Sequence, residues 1–150
     1  MTTIALVVFA AVITLLFAWA YFTAQRLHRL HIRLDRSRDA LQAALDQRCA
    51  VIAALYPEMR EECRIIESLR LTPVDVEERL QSEQEMRKHI ERQGTMLPAD
   101  IDAADTRVAI ALRFYNDAVR DVRSLRLRPA VRLLRLGGTA ALPAFASLSL

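Results

Sequence analysis

From Ile4 to Phe22 the chain runs without a charged side chain, and apart from the rings of Trp19 and Tyr21 its only polar member is Thr14. As a helix rising 1.5 Å per residue, such a stretch is about 28 Å long, close to the ~30 Å hydrocarbon core of a bilayer. It therefore predicts a transmembrane helix over residues 4–22. Trp19 and Tyr21 stand at its far end, where an amphipathic ring keeps its polar tip among headgroups and its body among the chains. Beyond them come Arg26, Arg29, Arg33, Arg36 and Arg38 against Asp35 alone before Asp39, whereas Met1-Thr2-Thr3 brings only the amino group. Basic flanks stay on the cytoplasmic side, so the expected site is the inner cell membrane, N-terminus out and the rest in the cytoplasm. Trp19, Tyr21, Arg26, Arg29 and Arg33 are the expected membrane-interface residues.

A cleaved signal peptide is the competing reading, because Ala18-Trp19-Ala20 has the small-x-small cleavage pattern. Three features oppose it: no basic segment precedes the apolar run, the run is longer than a usual signal core, and arginines follow the candidate cut. The two cysteines lean the same way. Cys49 and Cys63 are 14 positions apart, and on one helix they would be ~21 Å distant, beyond bridging. Unpaired thiols suit a reducing compartment, and both read as small buried hydrophobes.

The remaining residues hold one domain, and their composition points to helices: glycine numbers 3 and proline 5, too few for a turn-rich β sandwich. Leu27, Leu30, Leu34, Leu41, Leu45, Ile52 and Leu55 recur at helical steps, and no Gly or Pro separates them from the span. A single helix is expected to leave the membrane and enter the bundle. At Pro57 a kinked continuation and a tight reversal are both open, since Met59, Cys63, Ile66 and Leu69 keep the period. Thr72-Pro73-Val74-Asp75 has the form of a helix start, with Val76, Leu80, Met86 and Ile90 as the apolar face and Gly94 as the stop. Pro98 opens the last long helix, with Ile101, Val108, Leu112, Tyr115, Val119 and Val122 on one face and an end near Arg128. The fold class is all-α: an N-terminal transmembrane helix continuing into an antiparallel three- to four-helix bundle over residues 23–128. Residues 129–150 are expected to form a short basic helix, read as a solvated face, and an uncharged apolar tail, Thr139 to Leu150, that packs on the bundle in preference to lipid. Charge supports folding back: +3 over residues 26–48, −6 over 58–105 and +6 over 107–135. Exposed pairs contribute only ~0–1 kcal/mol each, so apolar seams must hold the helices.

Several segments together resemble a known family. Leu45-x-x-Arg48-x-x-Val51-Ile52-x-x-Leu55, Arg107-Val108-Ala109-x-Ala111 and Phe114-Tyr115-Asn116-Asp117-Ala118-Val119, with Pro129, the short helix to Leu136, Gly137 and Phe145 in order, are similar to the LemA family of bacterial membrane-anchored helical proteins. The chain departs from the family pattern at Ala53-Ala54, where a Pro-Asn is usual, at Val122-Arg123, where a second Tyr-Asn is usual, and at Leu112, where an arginine is displaced to Arg113. The resemblance implies a single-span protein with a cytoplasmic antiparallel bundle and no established enzymatic activity.

Chemistry-bearing constellations are few. His28, His31 and Asp35 share a helical face, but flanking arginines would repel a cation; His89 sits amid Arg87, Lys88 and Arg92 and reads as surface. Glu61, Glu62, Glu77, Glu78, Glu83 and Glu85 read as solvated ion-pair partners. Tyr115 and Asn116, between Arg113 and Asp117, form the candidate polar site: inside a bundle their hydrogen-bonding groups need partners, so they either fix helix register or hold something small. With no serine-elbow, zinc-helix or phosphate-loop motif, neither catalysis nor a metal or cofactor is expected. The arginines are assigned to anionic lipid and not to nucleic acid, for which no reader motif is present. The expected function is a non-enzymatic scaffold contacting lipids and another membrane-associated protein or itself, the alternative being a regulator that binds a small ligand near Tyr115 and Asn116.

Overall fold

The computed structural model describes residues 1–72, 76–92, 98–133 and 142–147. Among these, the regular elements are all helical: α1 (Thr2–Leu55), α2 (Arg60–Ser68), α3 (Val76–Arg92), α4 (Ala99–Arg126) and α5 (Pro129–Leu133), with a 3₁₀ turn at Pro57–Met59 between α1 and α2. The chain is all-α, as the periodicity requires.

α1 is a single helix of 54 residues, about 81 Å long at 1.5 Å per residue. Nothing in its sequence interrupts the backbone ladder: the first proline is Pro57. Its apolar N-terminal part is long and apolar enough to cross a membrane, and none of that window is covered by the rest of the protein. Within it the Thr14 hydroxyl donates back to the Ala10 carbonyl at 2.8 Å, so that hydroxyl is paired inside the helix. The first buried residue is Leu27, so the bundle begins little more than a turn beyond Phe22.

At Pro57 the chain reverses. Proline disfavours helical geometry in the residue before it, and Tyr56 accordingly leaves the helix at φ −124°, ψ 85°, its amide closing α1 on the Ile52 carbonyl at 2.7 Å. α2 then lies back along α1, burying Met59, Cys63 and Ile66 against Cys49 and Ile52. This decides between the two routes left open above, and it corrects the separation inferred for the cysteines. That inference placed both on one helix. On two packed helices they share one core, with Cys63 Sγ 3.5 Å from Met86 Sδ, and both are free thiols.

The helices alternate in direction. Arg33 meets Asp121 and Arg48 meets Asp105, so α1 and α4 are antiparallel; Asp46 meets Arg79 and Arg48 meets Glu83, so α3 runs with α1. α2 opposes α3, since Cys63 touches Met86 and the Ile66 carbonyl takes an Arg79 hydrogen bond. α1 and α4 form the most extensive helix pair. One apolar core joins Leu41 and Leu45 to Leu71, Val76, Leu80, Val108, Leu112, Tyr115 and Val119, and a second gathers the sulfur-bearing residues at the far end. A third, small cluster packs Leu27 on Leu125 and Val131, which holds α5 at the base of the bundle. Each fully buried aliphatic side chain stabilises the fold by ~1.5–3 kcal/mol, so these seams outweigh the exposed ion pairs.

The apolar faces expected for α3 and α4 are buried without exception, whereas Leu55 is exposed, because the reversal starts beside it. α4 ends at Arg126, two residues earlier than expected. The expected start at Pro73-Val74-Asp75, the stop at Gly94, and Gly137 with the last part of the expected short helix, 134–136, lie outside the described residues. Burial pushes the pKa of both thiols up. Neither Cys49 nor Cys63 should therefore react with an aromatic disulfide reagent in the folded protein, and both should titrate after denaturation; fast labelling of either in the native state would contradict the reversal at Pro57.

Candidate functional site

The polar pair on α4 holds the C-terminal segment. Asn116 faces residues 142–147 with both atoms of its carboxamide: Nδ2 donates to the Ala146 carbonyl at 2.7 Å, and Oδ1 accepts the Ala146 amide at 2.9 Å. One side chain thus satisfies both backbone groups of one residue, as a neighbouring strand would. The Tyr115 hydroxyl donates to the Ala144 carbonyl at 3.2 Å, and Arg123 donates to the Pro143 carbonyl at 3.0 Å. The Arg123 guanidinium also lies over the Phe145 ring, 5.3 Å from its centre, an attractive cation–π position. Ala146 is buried and joins the core of Leu80, Tyr115 and Val119, while Phe145 stays half exposed. Burial raises the Tyr115 pKa, with Arg38 opposing, so the phenol remains a donor through neutral pH. Within the described residues 142–147 the tail packs on the bundle, and it is this segment and not a neighbouring helix that Tyr115 and Asn116 hold.

The other two members of the candidate site do not join them. Arg113 is exposed, and Asp117 pairs on the surface with Arg120 at 2.8 Å. Of the residues expected at a membrane interface, Trp19 and Tyr21 are exposed, the Tyr21 hydroxyl accepts from Gln25 Nε2 at 2.8 Å, and Arg26 and Arg29 face outward. Arg33 instead reaches α4, pairing with Asp121 at 2.8 Å. His31 contacts the Leu27 carbonyl, and among the described residues no cluster of His, Cys, Asp and Glu forms a metal site.

A second polar constellation lies in the interior, and sequence reasoning missed it. Glu83, assigned above to a solvated face, is fully buried between two buried arginines. Arg48 Nη2 donates to its Oε2 at 2.5 Å, Arg79 Nε donates to its Oε1 at 3.0 Å, and the Cys49 thiol donates to the same Oε1 at 3.4 Å. Arg48 also donates to Asp105 at 3.0 Å, which in turn accepts from Arg87 at 3.0 Å. Arg79 reaches Asp46 at 2.9 Å and the carbonyls of Ile66 and Leu69, so it satisfies orphan acceptors at the end of α2. Arg48, Arg79 and Arg87 meet Asp46, Glu83 and Asp105, with Arg87 also pairing outward with Glu91 at 2.9 Å, and the cluster ties α1, α2, α3 and α4 together. Burial opposes the Arg48 charge, but Glu83 and Asp105 more than offset it and raise its pKa. A cavity of about 10 Å³ beside Arg48, Glu83 and Asp105 has room for one water molecule.

The signal for this cluster is a set of gaps in the apolar series. Arg48 fills the space between Leu45 and Ile52, Glu83 that between Leu80 and Met86, and Asp105 that between Ile101 and Val108. Each stands where the helical period calls for a core residue.

Removing one partner from a buried ion cluster typically costs 3–5 kcal/mol, because the others are left charged and unpaired. Glu83→Ala should lower stability by about that amount, measured as the thermal midpoint by circular dichroism in detergent, whereas Glu61→Gln, at the exposed pair with Arg64, should leave the midpoint unchanged. Asn116→Ala should free the Ala146 amide to exchange with deuterium at least tenfold faster, on the order of 1.4 kcal/mol of lost docking, with the amides of α4 still protected.

No family model matches the chain, and neither a curated protein nor a solved structure shows significant similarity to it.

Proposed function

We propose that the chain is a single-pass membrane protein of the LemA type, anchored through residues 4–22 with its N-terminus outside and its bundle in the cytoplasm, acting by contact as a scaffold for another membrane-associated protein or for copies of itself. The observation that carries this is the continuity of α1, whose uncovered apolar third runs without a break into a helix that the bundle grips from Leu27 onward. A rod of that kind fixes a bundle at a set distance from a surface. The interior supports the same reading, since the Arg48–Glu83–Arg79 cluster joins the helices to one another and its carboxylates are already matched by cations. Ile110 and Phe114, one turn apart on α4 and both more than half exposed, give the bundle an apolar outer patch suited to contact. A small ligand at Tyr115 and Asn116 would have to displace the tail that now occupies their hydrogen-bonding groups.

Because both native thiols are buried, an introduced one reads topology without interference. With Ala43→Cys on the exposed side of α1, a membrane-impermeant maleimide should label the protein only after the inner membrane is permeabilised, and the protein should resist extraction from the membrane with its N-terminus intact. Labelling in intact cells would reverse the orientation. A mature form starting near Tyr21 would remove the anchor altogether.

A further inference from the structure

We infer that the base of the bundle, formed by α5 with the end of α4, is a second membrane contact that rests on the headgroup layer of an anionic bilayer. This deepens the proposed function and depends on residues 4–22 being a span. The height of this base is set by α1. Leu27, on which Leu125 and Val131 pack, is five residues past Phe22, about 7.5 Å along a continuous helix. The headgroup region on each side of the hydrocarbon is roughly 5–8 Å thick. Tilting α1 lowers Leu27 itself, and Val131 is packed against Leu27, so Val131 is held near headgroup level.

What the base presents there is apolar surface rimmed by positive charge. Leu127 is 52% exposed and Leu133, at 83%, is among the most exposed large apolar side chains beyond the span. Arg128 and Arg132 flank them, and Arg26 and Arg29 project from α1 at the same level; among the described residues none of these four pairs with a carboxylate. The nearest acidic group on α4, Asp121, is already engaged by Arg33. Apolar side chains inserted beneath a layer of phosphates, with guanidiniums at phosphate height, is the chemistry of an interfacial amphipathic helix. α5 has only five residues and would be too short to bind alone. Here the span supplies the attachment and α5 the second point, which fixes tilt and rotation of the bundle against the surface. An arginine close to an anionic surface strengthens attachment by roughly fivefold.

The chain contains one tryptophan, Trp19, so the anchor and the base can be read separately in the same sample. The full-length protein carrying Leu133→Cys, with a small environment-sensitive fluorophore on that thiol, is placed in nanodiscs of phosphatidylcholine alone or with one-third phosphatidylglycerol. Nitroxide lipids quench from the bilayer and iodide from the water. The Leu133 label should be quenched by shallow nitroxides, more strongly in the anionic disc, and Arg128→Glu with Arg132→Glu should reduce that quenching about twofold or more. A label at Ala50→Cys, on the far half of α1, should respond to iodide alone. If the Leu133 label behaves like the Ala50 label while Trp19 is quenched by lipid, the base contact is refuted and the anchor stands. Equal lipid quenching in both discs refutes the role of anionic lipid. A Trp19 that lipid nitroxides do not quench removes the anchor, and with it this inference.

Discussion

Glu83 sits with no solvent exposure between Arg48 and Arg79, and most of the bundle's arrangement follows from what that carboxylate requires. A buried charge is tolerated only when its partners approach with good geometry, which fixes α1 and α3 in parallel and in one register. Arg79 then has its remaining donors aimed at Asp46 and at the end of α2, so the reversal after Pro57 is held in place by the same group. Arg48 carries the constraint to α4 through Asp105. Apolar seams supply the larger share of the stabilisation, but they would accept several registers, because leucine and valine faces slide past one another with small penalties. The ion cluster accepts one.

The clasp on the tail works by a different rule. Asn116 reads the backbone of Ala146, Tyr115 that of Ala144 and Arg123 that of Pro143, so four of the contacts are indifferent to side-chain identity, whereas the buried methyl of Ala146 and the ring of Phe145 under Arg123 depend on sequence. Val76, at the start of α3, packs in one core with Leu41 of α1 and Ala146 of the tail. The segment 142–147 runs alongside α4, from Arg123 to Asn116. Its hydrogen bonds are individually modest, on the order of 1 kcal/mol, so the tail is the more easily opened of the two polar sites.

Much of this architecture is legible in the residues alone. The long apolar N-terminal helix, the helical period and the buried faces of α3 and α4 all come from local pattern, which is carried by the side chains themselves. What escapes is whatever depends on two distant segments meeting. Pro57 permits both a kink and a reversal, and the choice rests on Met59, Cys63 and Ile66 finding Cys49 and Ile52. The cysteines were misplaced for the same reason. Glu83 looks like its neighbours Glu78 and Glu85 in any local window, and only the interruption of the Leu80 to Met86 step marks it as interior. Tyr115 and Asn116 were recognisable as polar groups in need of partners, yet their partner lies 29 and 30 residues downstream.

The unbroken course of α1 also couples position to phase. Each residue of an α-helix advances 1.5 Å and turns by about 100°, so adding one alanine between Phe22 and Leu27 would lift the whole bundle by 1.5 Å and swing it through more than a quarter turn. Inserting seven brings the azimuth nearly back while raising the body by about 10 Å. Length changes in these few positions therefore act like turning a screw: which side of the body faces a given direction about the axis of the apolar segment is encoded in the number of residues there as much as in their identity.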